Sequence, residues 1–154
     1  MQPFSIQSLI SRSHAPLTSL SIKGQGDAMS EDDLIECIFQ LPDLVSLQLW
    51  STPITDASII ALSVSPRSSQ FDRQSVLLPV LNHLTLGAAK LTASPVIDMI
   101  RSRWEYTSHP LISVHLHYCK LSLSDNTILR SFRASDIAKK MGLVWEMKNT
   151  QLRP

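Results

Sequence analysis

His115, His117 and Cys119 occupy every second position of the run HLHYC. Alternate side chains of an ideal strand project to one face, so this run would offer two imidazoles and a thiolate together, a donor set that zinc accepts. Three protein ligands with a fourth position open is how a catalytic zinc is held, which makes a metal-dependent hydrolase using His115 and His117 one reading of the chain. Against it, Cys119 falls where the strand should end and the chain turn inward, and no acidic fourth ligand lies close in sequence. The expectation is therefore no metal, no cofactor and no enzymatic activity. Other chemistry has less support. There is no G-x-S-x-G elbow and no P-loop, and GQG at 24–26 lacks the strand-to-helix setting in which glycines cradle a pyrophosphate. Arg101, Arg103 and Glu105 read as the solvated side of a helix rather than as a phosphate clamp. His14 and His109 precede loop prolines and have no recognisable catalytic partner.

Composition narrows the partners. The chain has 154 residues, 44% of them hydrophobic and 18% charged, which is enough apolar material for one core and too much for a disordered chain. Its 14 basic and 13 acidic residues are scattered and leave a net charge of +1, so no electrostatic footprint for nucleic acid or anionic lipid is present. No apolar run approaches the ~18 residues of a membrane helix, and MQPFSIQSLISRSH lacks the basic and apolar regions of a secretory signal. The expected location is intracellular, cytoplasmic or nuclear. Cys37 and Cys119 do not make a disulfide framework and read as reduced, buried thiols.

The elements that would position these residues come from a repeat. L-x-x-L-x-L, with aliphatic substitutions, occurs at Leu17/Leu20/Ile22, Leu44/Leu47/Leu49, Leu81/Leu84/Leu86 and Leu111/Val114/Leu116. The intervals suit one strand, one helix and two loops, and the longest contains SVSPRSSQFDRQSVLLP, a serine-rich stretch without periodicity. It reads as a flexible loop over 63–79. Five residues after Leu49, Leu86 and Leu116 come Ile54-Thr55, Leu91-Thr92 and Leu121-Ser122, an aliphatic followed by a hydroxyl able to cap a helix. Thr55 as N-cap would pair Ile54 with Ile59 in a hydrophobic staple, and Ser30 with Asp33 makes a capping-box-like pair. In the third helix, Val96, Ile97, Ile100 and Trp104 are expected on one buried face. Residues 2–11 read as a helix and 136–141 as another with Gly142 at its C′ position. LVWEM at 143–147 reads as a fifth and last strand, with Leu143, Trp145 and Met147 on one side.

LPDLVSLQLWSTPITDASIIAL, residues 41–62, resembles the leucine-rich repeat in its cysteine-containing subtype, through Ile54, Thr55, Asp56, Ile59 and Leu62 after the leucine signature. Cys119 matches the subtype's cysteine, while Pro53 and Ala89 occupy neighbouring positions in the other repeats. MIRSRW at 99–104 is similar to the C-terminal repeats of fungal F-box proteins. The resemblance implies an α/β fold, a short solenoid of about five parallel strands forming a concave sheet with helices on the convex side, as a single domain over 1–154. It also implies substrate recognition for a ubiquitin ligase. DDLIECIFQLPDLVSL stays in frame with the repeats and is not read as an F-box, so the adaptor of a cullin-RING ligase would be a partner only if an F-box exists outside this chain. The chain would then be a truncated relative of a longer receptor.

Strand alternation picks out the working face. With the leucines inward, Ser19, Ser21, Lys23, Ser46, Gln48, Trp50, His83, Thr85, Gly87, Ser113, His115 and His117 point outward. Trp50, Gly87 and His117 share a row, with a pocket expected between Trp50 and His117 where Gly87 leaves room. The expected function is a protein-protein interaction module whose partner contacts Gln48, Trp50, His83, Thr85, His115 and His117. A structural remnant with no partner of its own is the alternative from the same fold.

Overall fold

The computed structural model describes residues 6–12, 14, 16–24, 29–65, 76–148 and 151–152. Helix α1 (Ile6–Arg12) is followed by β1 (Ser19–Lys23), α2 (Glu31–Phe39), β2 (Ser46–Trp50), α3 (Asp56–Leu62), β3 (His83–Gly87) and α4 (Ala93–Tyr106). Then come β4 (Ser113–His117), β5 (Lys120–Leu121), α5 (Leu123–Ala134), α6 (Asp136–Met141), β6 (Val144–Lys148) and β7 (Gln151–Leu152). The fold is α/β. Strands β1, β2, β3, β4 and β6 form one parallel sheet in chain order, and β5 and β7 form a second parallel pair beside it. Among the described residues, no helix is long and apolar enough to cross a membrane.

The leucine signature explains the sheet. Leu20, Leu47, Leu84, Val114 and Trp145 stand in one register row, and Ile22, Leu49, Leu86, Leu116 and Met147 in the next but one. Leu47, Leu84, Val114 and Leu116 have no exposed surface, and the opening leucines Leu44, Leu81 and Leu111 are buried beneath them. Each such side chain contributes roughly 1.5–3 kcal/mol by leaving water, so a one-residue slip of any strand would forfeit its whole set. Past the strand ends, Ser51, Ala88 and Tyr118 adopt positive φ angles of 50°, 56° and 54°. This left-handed residue turns the chain inward three times at the same point and delivers Thr52, Ala89 and Cys119 to equivalent places. Thr52, and not Pro53, is therefore the counterpart of Cys119.

The helices begin where their hydroxyls predict. Ser30 and Asp33 form a reciprocal capping box, Thr55 caps α3, and Ser122 caps α5. Ile54 and Ile59 of the staple are both buried. Neighbouring units are also latched through their caps. Glu31 of α2 accepts from the backbone and hydroxyl of Thr55 and of Ser58 at the start of α3. Asp56 of α3 accepts from the backbone and hydroxyl of Thr92 at 2.9 and 2.7 Å, and Asp125 of α5 accepts from the backbone of Ala93 at 3.0 Å. Thr92 makes no side-chain cap to its own helix, so α4 is capped from both sides by its neighbours.

Helix α4 corrects two expectations. Its buried residues are Ala93, Val96, Met99, Ile100 and Arg103, while Trp104 is 42% exposed. The buried stripe is rotated from the expected one because Arg103, fully buried, takes the inward position after Ile100. Its guanidinium donates to the carbonyls of Leu62 at 2.8 Å and Leu78 at 3.0 Å, and to that of Leu77. It is thus an internal clamp and not part of a solvated face. Burial pushes its pKa down to about 10, which leaves it charged at neutral pH. Two of those carbonyls belong to the segment expected to be a loop over 63–79. The ends of that segment are anchored, with Val64, Leu77 and Leu78 buried, while its inner stretch 66–75 lies outside the described residues. Of GQG, Gly24 alone is described; its backbone N–H donates to the Trp50 carbonyl at 2.8 Å.

Candidate functional site

The side chains opposite the core stand in three parallel rows. One row holds Ser19, Ser46, His83, Ser113 and Val144, and the next holds Ser21, Gln48, Thr85, His115 and Glu146. The last holds Lys23, Trp50, Gly87, His117 and Lys148. All six residues expected to contact a partner therefore lie on one face. Gln48 is exposed, whereas Trp50, His83, Thr85, His115 and His117 are half-buried by one another and by their row neighbours.

Trp50 sits on Gly87. A Cβ built at Gly87 would fall 2.6 and 2.7 Å from two carbons of the indole, and closer still to a third. The indole thus fills the space that glycine leaves, and the pocket expected between Trp50 and His117 is closed by the ring itself. Its centroid lies 5.4 Å from that of His117 at a tilt of 55°. His117 continues the contact to His115, 5.8 Å away in an edge-on arrangement. An aromatic ridge therefore runs from β2 to β4 along the face. His83 stands apart from it and pairs through Nδ1 with the Ser113 hydroxyl at 2.8 Å.

Strand β6 adds what the sequence reading missed. Glu146 reaches His115 Nδ1 at 3.0 Å through one carboxylate oxygen; the other lies 3.7 Å from His117 Nε2 and contacts the Lys148 ammonium. The Lys148 hydrogen bond and charge hold the Glu146 carboxyl below its ordinary pKa, and Glu146 in turn raises that of Lys148. Burial pushes the His117 imidazole below its ordinary value, with Glu146 opposing and His115 and Lys148 reinforcing the shift. His117 Nε2 is buried and has no hydrogen-bond partner among the described residues. The signal for Glu146 was present in the alternation of VWEMK: with Trp145 and Met147 inward, Glu146 must face outward beside His115.

Cys119 does not join this group. It is fully buried, and its Sγ lies 3.4 Å from the Leu86 carbonyl, because the left-handed Tyr118 has already turned the chain toward the core. Burial pushes both cysteine thiols up, and both remain unpaired with one another. His14 and His109 are exposed and precede β1 and β4, outside the rows described. Comparison with protein-family models, with curated proteins and with solved structures finds no match to this chain.

Proposed function

We propose that this chain is a short leucine-rich-repeat solenoid whose open, concave strand face docks another protein, similar to the substrate-recognition repeats of an F-box ubiquitin-ligase receptor. The observation that supports the reading is the aromatic ridge of Trp50 and His117, seated over Gly87 on the sheet face opposite the leucine core. An indole held against a glycine is fixed before a partner arrives, so little rotamer entropy is lost on docking, and tryptophan is prominent among binding hot spots. Gln48 and Thr85 supply polar groups in the adjacent row, and His83 lies one row further along the same face.

The test compares pull-down from cell extract by the native chain, by Trp50→Ala and by Ile60→Glu on the exposed side of α3. Loss of a specific partner with Trp50→Ala and its retention with Ile60→Glu is the expected result. Equal recovery of every partner by all three proteins would remove the ridge from consideration.

A further inference from the structure

Cys119 was the weak member of the donor set suggested by HLHYC, and the structure replaces it with a better one. His115, His117 and Glu146 each offer a ligand atom, and these atoms all lie within 4.8 Å of one another. We propose that they form a site for one first-row divalent transition-metal ion, of which zinc is the type, on the open face of the sheet. This inference does not depend on whether a protein docks there.

Three observations carry it. Two imidazoles two residues apart on one strand, faced by a carboxylate from the adjacent strand, give nitrogen and oxygen donors of the kind that zinc, nickel and copper take; magnesium and calcium would want oxygen alone. His117 Nε2 is buried without a hydrogen-bond partner, an uncompensated cost that a metal bond would remove. The backbones of both strands are fixed by the parallel ladder through His115↔Glu146 and His117↔Lys148, so only side-chain torsions must change. Ligands about 2.0–2.2 Å from a tetrahedral zinc lie about 3.3–3.6 Å from one another. Glu146 already lies 3.0 Å from His115 Nδ1 and 3.7 Å from His117 Nε2, so one separation must widen slightly and the others, none above 4.8 Å, must close, changes that rotation of the Glu146 carboxylate and the His115 ring can supply.

Lys148 is the competitor. Its ammonium contacts the Glu146 oxygen nearer His117 and is itself 64% exposed, so it can swing into solvent when a dication takes its place. Three donors from one face of the sheet leave the outward side of the ion open, toward water or a side chain brought by a docked molecule.

The experiment titrates the full chain with zinc against a chromophoric chelator at neutral pH. One equivalent is expected, with affinity lowered on the order of ten-fold or more in His117→Ala and in Glu146→Gln, since loss of even an outer-shell partner costs about that much. His83→Ala, on the same face but outside the set, should bind as the native chain does. Lys148→Met should bind more tightly, a gain that no folding defect can mimic. Failure of the native chain to bind one equivalent, unchanged affinity in both ligand variants, or no gain in Lys148→Met would each overturn the assignment.

Discussion

The indole of Trp50 rests on the bare backbone of Gly87, its partner across the β2–β3 ladder. Glycine inside a strand normally weakens it through backbone entropy and the absence of a packing side chain. Here the neighbour's side chain supplies the cover, and the two positions act as one unit.

Gly87→Ala should therefore destabilise the protein by about 1–3 kcal/mol, the usual cost of forcing atoms into a filled site. In a Trp50→Ala background the same change should cost nearly nothing, because the obstructing ring is gone. Urea denaturation of the four proteins of the cycle measures the coupling; additive effects would mean that the ring does not rest where it is placed.

Ala88 should respond in the opposite direction to its neighbour. Its φ of 56° imposes on a side-chain-bearing residue a conformation that costs roughly 1–2 kcal/mol. Ala88→Gly removes that cost while adding some unfolded-chain entropy, for a net gain of up to about 1 kcal/mol. A fall in the thermal midpoint would contradict the repeated left-handed turn.

Arg103 should tolerate neither removal nor the nominally conservative change. Arg103→Lys replaces a planar fork with a point charge unable to serve carbonyls of Leu62, Leu77 and Leu78 in the same geometry. A loss of about 2–4 kcal/mol is expected in chemical denaturation, as for broken hydrogen bonds to a buried charge. Faster proteolysis between residues 63 and 79 should accompany it, and native-like stability in Arg103→Lys would refute the clamp.

Glu31 makes stability depend on acid. Burial alone would raise its pKa, but the hydrogen bonds from Thr55 and Ser58 outweigh burial and hold it below the ordinary 4.5. A carboxyl with a depressed folded value binds protons more readily when unfolded, so its contribution is complete above that ordinary value and is lost as pH falls through the folded one. Glu31→Gln should lower stability near neutral pH and shrink the further loss between about pH 5 and pH 3. Parallel acid-denaturation curves for the two proteins would be the contrary result.

Much of the strand arrangement could be read from the chain because L-x-x-L-x-L ties a period of two to burial, and every inward position from Leu47 to Leu116 obeys it. Helix starts were legible for the same kind of reason: Ser30, Thr55 and Ser122 are small hydroxyl residues immediately before apolar periodicity. Arg103 was not, since a guanidinium after Ile100 looks solvated until the carbonyls that receive it are known, and those come from a segment with no period. Glu146 escaped attention because β6 lacks the leucine signature, and its neighbours His115 and His117 are near it only through the sheet. The β5–β7 pair, two residues on each side, is too short to leave a pattern.

The caps of α4 have a bearing on how the protein can be divided. Asp56 reaches it from one flank and Asp125 from the other, while its own Thr92 makes no side-chain cap. Cutting the chain on either side of α4 would strip donors at its N-terminus of a carboxylate, so the longest of the described helices is left incomplete in either fragment. Segments that look modular in the leucine pattern are thus tied to one another through the first turn of α4.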